Sequence, residues 1–309
     1  MSRIAANIVH GIIGFTNKSL VKNLIIITLS ILLVLVQVFF PFQYYSSAQR
    51  NGDTSFQVGI HYVYEQDELN QIFDQVAYLH NSGFKVMRIT MECNPDIPND
   101  YQNQKLDTLY FAADYFGLVV ALVIKNLDPL DKIDYYLNRW GSHLTYVQVM
   151  NEPEASSTWS AGSIFTDDEI ISNFNRIYSA VVAHNLNVKL YTNFGIGYLI
   201  RSNVPIELSK KLDFVGFDVF MDSFLVLSPH LVKNLHDLTN KDVIITELGM
   251  STSNDQALSD YLIKGLNLCK SMGLKGCWLV YWNSEFDDYG IRGRLADTAV
   301  REWIANNAV

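Results

Sequence analysis

Two glutamates stand where a folded chain rarely leaves a carboxylate without a use. Glu152 follows the apolar run in VQVMNEPE, and Glu247 closes the run VIITELG. A charged group at the end of a buried strand carries a desolvation cost unless something around it uses the charge. Two such groups facing one another supply a protonated acid and an ionised nucleophile, the combination that cleaves a glycosidic bond. Other polar and aromatic residues end similar runs: His61, Arg88, Asn151, Asn193, Asp218 and Trp282. Glu92 and Glu154 sit beyond their runs and read as solvent-facing. The three cysteines show no CxxC or Cys/His metal spacing, and Cys93 has no base beside it in the sequence. No metal or organic cofactor is expected.

The elements that must position these residues repeat with a fixed rhythm. Apolar runs of strand length occur at 55–62, 84–91, 117–125, 144–151, 188–195, 212–220, 241–249 and 274–282, roughly thirty residues apart, each followed by a helical pattern. Thr166-Asp167-Asp168-Glu169 reads as a helix start, and Pro129 as another. Mostly apolar strands alternating with helices imply a parallel sheet covered on both faces. An open sheet for a dinucleotide would show a glycine fingerprint after its first strand; GIHYVYEQDE has none. About 260 residues suit a closed (β/α)8 barrel of the TIM type, whose chemistry sits at the carboxyl ends of the strands. The polar and aromatic residues that close the apolar runs fall there.

Residues 1–48 read differently. LIIITLSILLVLVQVFF (24–40) is apolar on every face and nearly long enough to span a bilayer. Arg3, Lys18 and Lys22 precede it, which orients the rest of the chain away from the cytoplasm. The expectation is an N-terminal transmembrane or signal-anchor helix over 1–48 and a barrel over 49–309. Ser46-Ser47-Ala48 also resembles a cleavage site, so a secreted form is the alternative. The whole chain of 309 residues carries a net charge of −9. Beyond residue 48 it holds 20 Lys and Arg against 32 Asp and Glu, which argues against nucleic acid as a partner.

VMNEPE (149–154), ITELG (245–249) and VYWNSE (280–285) together resemble clan A glycoside hydrolases, retaining barrel enzymes that include the family 5 cellulases and mannanases. The resemblance covers about residues 55–309. It implies that Glu152 is the acid/base and Glu247 the nucleophile, that Asn151 binds the sugar 2-hydroxyl, that Arg88 steadies Glu247, and that Trp282 floors a sugar subsite. His61 and Trp159 are further candidates for contacting sugar; Tyr289 and Asp287 are rim candidates. The chain departs from the clan at the end of its sixth strand. There Phe217-Asp218-Val219-Phe220 stands where many members carry a tyrosine, so Asp218, Tyr191 or Tyr281 is expected to replace that hydroxyl. The resulting expectation is a monomeric retaining hydrolase of β-linked oligo- or polysaccharide, with its two carboxyls about 5–5.5 Å apart. The alternatives are transglycosylation by the same residues and a noncatalytic glycan-binding barrel.

Overall fold

A computed structural model describes residues 56–91, 96–155, 165–199, 202–220, 229–283 and 288–307. The expected membrane segment 1–48, Glu92, Cys93, Trp159 and Asp287 lie outside the described residues. Among the described residues, no helix is long and apolar enough to cross a membrane.

The strand–helix alternation is present throughout. In chain order the elements are β1 (Gln57–His61), α1 (Leu69–Asn81), β2 (Val86–Thr90), α2 (Asp100–Phe116), β3 (Val119–Ile124), α3 (Leu130–Trp140), β4 (Tyr146–Val149) and α4 (Asp167–Ala183). There follow β5 (Lys189–Tyr191), β6 (Asn193–Gly195), α5 (Ile196–Leu199), α6 (Val204–Ser209), β7 (Phe214–Phe220), α7 (Pro229–Thr239), β8 (Asp242–Gly249), α8 (Asp255–Ser271), β9 (Gly276–Leu279) and α9 (Leu295–Asn307). Local chemistry sets the helix ends. Asn99 and Gln102 form a reciprocal capping box at the start of α2, and Thr166 with Glu169 does the same for α4. Gly117, at φ 70°, closes α2 in the left-handed conformation that a side chain resists.

All strand pairs are parallel, in the order β5-β4-β3-β2-β1-β9-β8-β7-β6. The two ends of that order are halves of one expected strand, parted at Thr192. Before Thr192 the chain pairs with β4, and after it with β7. Asp213 N–H donates to Leu190 O at 2.8 Å and Gly216 N–H to Thr192 O at 2.8 Å, which joins the two ends of the sheet into a barrel. Eight expected strands thus become nine because the fifth changes partner midway.

Two apolar layers hold this ring. The larger packs the outer face of the strands against the helices. The smaller consists of Val86, Ala121, Tyr146, Tyr191, Phe214, Ile244 and Trp278, drawn from strands all around the ring. Trp278 is its centre, edge-on to Tyr191 and Phe214. Gly59 leaves it room: a Cβ there would stand 2.5 Å from the Trp278 ring. This aromatic plug fills the barrel interior, leaving the carboxyl ends of the strands to carry polar side chains.

Candidate active site

Arg88 is the centre of the polar end. It is 1% exposed, on β2, beside His61 of β1 in the register. A buried guanidinium needs partners for its N–H groups, and β1, β4 with the turn after it, and β8 supply them. Nε donates to Gln148 Oε1 on β4 at 3.1 Å, and Nη1 to His61 Nδ1 at 3.1 Å. Nη2 donates to Asn151 Oδ1 at 2.7 Å and pairs with Glu247 Oε1 at 2.7 Å. Burial works against the arginine's charge, but Glu247, Tyr191, Asp218 and Tyr281 together more than offset it, and Arg88 holds its proton more firmly than usual. Because arginine can only donate, His61 Nδ1 must accept. The histidine is therefore the tautomer with its proton on Nε2, donated to Thr90 Oγ1 at 2.9 Å. Burial, then Arg88 and Lys125, push His61 well below its ordinary range and keep it neutral.

β4 ends in strained backbone. Met150 has φ 72° and Glu152 φ 38°, a region L-residues avoid and one that recurs where a structure forces a side chain into place. Three amides anchor this turn. Asn126 Oδ1 accepts from Asn151 N–H at 3.0 Å, and Asn193 Oδ1 accepts from Glu152 N–H at 3.0 Å. Gln148 Nε2 donates to Met150 O, Asn151 Oδ1 and Asn193 Oδ1 at 3.0, 2.8 and 2.6 Å.

The opposite wall is β7 and β8, in register at Asp218 and Glu247. The pairing shifts between Phe217 and Asp218, because Phe217 matches Ile245 while Asp218 matches Glu247, so Thr246 is an extra residue on β8. This bulge aims Glu247 at Arg88 and lets Thr246 Oγ1 donate to Asp218 Oδ1 at 2.9 Å. Asn193 Nδ2 donates to the other Asp218 oxygen at 2.6 Å.

Glu152, Asp218 and Glu247 thus converge, one carboxylate oxygen of each lying within 4.8 Å of the others. A cation could be held by such a set. Here, however, Glu247 already faces a guanidinium, and both Asp218 oxygens already accept hydrogen bonds. Burial first, then Glu247 and Glu154, raise Glu152 to about 8. Burial, Glu247 and Glu152 push Asp218 well above the usual carboxylate range.

The expected residues fare unequally. Glu152, Glu247, Asn151, Arg88, His61 and Asp218 are brought together. Trp282 is not at the mouth: it is 1% exposed, its ring stacks near Tyr78 of α1 at 5.1 Å, and its Nε1 donates to Gln75. The cause is a shorter strand. β9 ends at Leu279 rather than 282, so the inside–outside alternation does not extend to Trp282, which turns into the helical shell. Tyr281 instead lies beside His61 at 5.0 Å, with Tyr289 at 6.4 Å beyond it. Tyr191 is below the mouth, stacked on Phe214 in the plug. Glu154 is not solvent-facing either; one oxygen accepts from Gly195 N–H and the carboxyl acts on Glu152. Gln148, Asn126 and Thr246 escaped the sequence reading. The available signal for Gln148 was a polar amide in mid-strand, which must find partners inside the barrel.

No protein-family model matches the sequence, and no curated protein matches it. Solved structures do share the fold. A family 1 β-glucosidase from Thermotoga maritima superposes with a TM-score of 0.60 at 12% identity, over 84% of this chain and 100% of its own. The endo-β-1,4-mannanase from Thermotoga petrophila gives 0.61 at 12% identity, over 84% and 78%. The AHE enzyme from Alicyclobacillus herbarius gives 0.58 at 13% identity, over 84% and 99%. The chain has the barrel fold of these proteins.

Proposed function

We propose that the protein is a retaining β-glycoside hydrolase. The observation that carries this reading is the Glu152–Glu247 pair: carboxyl oxygens within 4.8 Å, one partner ion-paired to Arg88 at 2.7 Å, the other kept protonated by burial. Oxygens that near suit the short carboxyl separation of double displacement, about 5–5.5 Å, better than the roughly 6.5–9.5 Å of an inverting pair. Glu152 gives its proton to the leaving oxygen as Glu247 attacks the anomeric carbon and the carbon–oxygen bond breaks. Water then attacks that carbon, Glu152 takes the water's proton, and the bond to Glu247 breaks. Asn151, held by Arg88, Gln148 and Asn193, is set to meet the sugar beside the reacting carbon. Tyr281 takes the role first assigned to Trp282 of offering an aromatic face at the mouth. The fold shared with a β-glucosidase and an endo-mannanase supports a β-linked sugar as substrate. An anchored or exported barrel, as residues 1–48 suggest, would meet that substrate outside the cytoplasm.

The test is release of the aryl alcohol from aryl β-glycosides and of reducing sugar from a panel of β-glucans and β-mannans. Glu247→Ala should lower kcat at least about 10⁴-fold on every substrate. Glu152→Ala should retain first-step activity on activated aryl glycosides and be accelerated by azide, yielding the β-glycosyl azide. A wild-type protein inert on the whole panel would overturn the reading.

A further inference from the structure

Three carboxyls meet one guanidinium at this site, and double displacement uses only two of them. The third, Asp218, is 1% exposed. Its two oxygens accept from Asn193 Nδ2 and Thr246 Oγ1, both neutral donors. Arg88 is spent elsewhere, on Gln148, His61, Asn151 and Glu247. The charged and titratable groups that act on Asp218 are Glu152 at the end of β4, Glu247 on β8, Arg88 on β2 and Tyr191 on β5. Glu154 acts on Glu152 from the far side. One carboxylate oxygen of Glu152 and one of Asp218 lie within 4.8 Å of each other. While Glu247 is also ionised, two carboxylates so placed repel each other, and a proton between them relieves that repulsion.

We propose that Asp218 is a positioning residue that shares a proton with Glu152, so that the acid/base of this enzyme is a carboxyl pair rather than a single glutamate. The inference rests on the hydrolase reading for its consequence but not for its test. The orientation of Asn193 is the geometric support. Its Oδ1 accepts from Glu152 N–H while its Nδ2 donates to Asp218, so one amide fixes both members. When Glu152 protonates a leaving group, the proton leaves the pair as Glu247 becomes an ester and gives up its own negative charge. The net charge of the buried cluster is unchanged in that step. In the second step the pair recovers its proton from the attacking water. Burial and the neighbouring carboxylates hold both members above the usual range, in keeping with a shared proton.

The experiment is a ¹³C NMR titration of the full-length protein labelled at its glutamate carboxyl carbons, with Glu152 assigned by the signal lost in Glu152→Gln. Because the two groups are coupled, the Glu152 signal of the wild type should titrate in two steps, and in Asp218→Asn in one. A single step in the wild type would overturn the proposal without recourse to any variant, so a misfolded Asp218→Asn does not rescue it. Two steps that persist in a folded Asp218→Asn would overturn it as well. Alongside, the alkaline limb of kcat/KM should move in Asp218→Asn, whereas a purely structural role would lower activity with the limb in place. If the wild type cleaves no glycoside, the hydrolase reading fails while the titration still decides the pairing.

Discussion

At the scale of single residues, Glu152 is held against its own preference. Its backbone is left-handed, its side chain is partly buried, and three like groups, Glu247, Glu154 and Asp218, act on it. A carboxyl near 8 in the folded state and near its ordinary value in the unfolded chain keeps a proton on folding that the unfolded chain has released. Between those values the folded state binds more protons, so stability falls as pH rises from about 4.5 to about 8. Glutamine has no proton to lose. Glu152→Gln is therefore expected to be more stable than wild type at pH 8, by on the order of 2 kcal/mol, with the gap closing toward pH 5. Urea denaturation at the two pH values measures this; a gap that does not change with pH would contradict the assignment. A site built for chemistry at the expense of stability is expected to behave so.

At the scale of elements, two departures from regular structure build the site. The turn after β4 aims Glu152, and the bulge at Thr246 aims Glu247. Both rest on a barrel whose interior is plugged by Trp278, and that plug depends on the missing side chain of Gly59. Gly59→Ala should cost about 1–3 kcal/mol through overpacking, read as a Tm lowered by several degrees. An unchanged Tm would mean that Trp278 moves freely and that the plug is not what holds the ring. The strand–helix alternation, the helix starts at Pro129 and Thr166, and both glutamates were legible because each is a local pattern: a period, a cap, a polar residue closing an apolar run. What was not legible depends on where a strand stops or whom it pairs with. Trp282 turned outward because β9 ends three residues earlier than its apolar run, and the fifth strand divided because Thr192 changes partner. Gln148 and Asn126 acquire meaning only once Arg88 and the Asn151 amide are beside them. No spacing in the sequence carries that.

At the scale of the whole molecule, residues Gly52–Val309 form one compact unit. Its helical shell and aromatic plug serve to hold one buried guanidinium and three converging carboxyls at the carboxyl ends of the strands. In the proposed reaction Glu247 is the nucleophile and carries the sugar in a covalent intermediate. Mass spectrometry of the intact protein after incubation with 2-deoxy-2-fluoro-β-glycosides bearing a dinitrophenyl leaving group tests it most directly, using both gluco- and manno-configured reagents. The expected result is a mass gain of one fluorosugar per chain, with the label on the peptide bearing Glu247 and none on Glu247→Ala. Turnover of glycosides with inverted anomeric configuration, or a label carried by Glu152 or Asp218 instead, would contradict it.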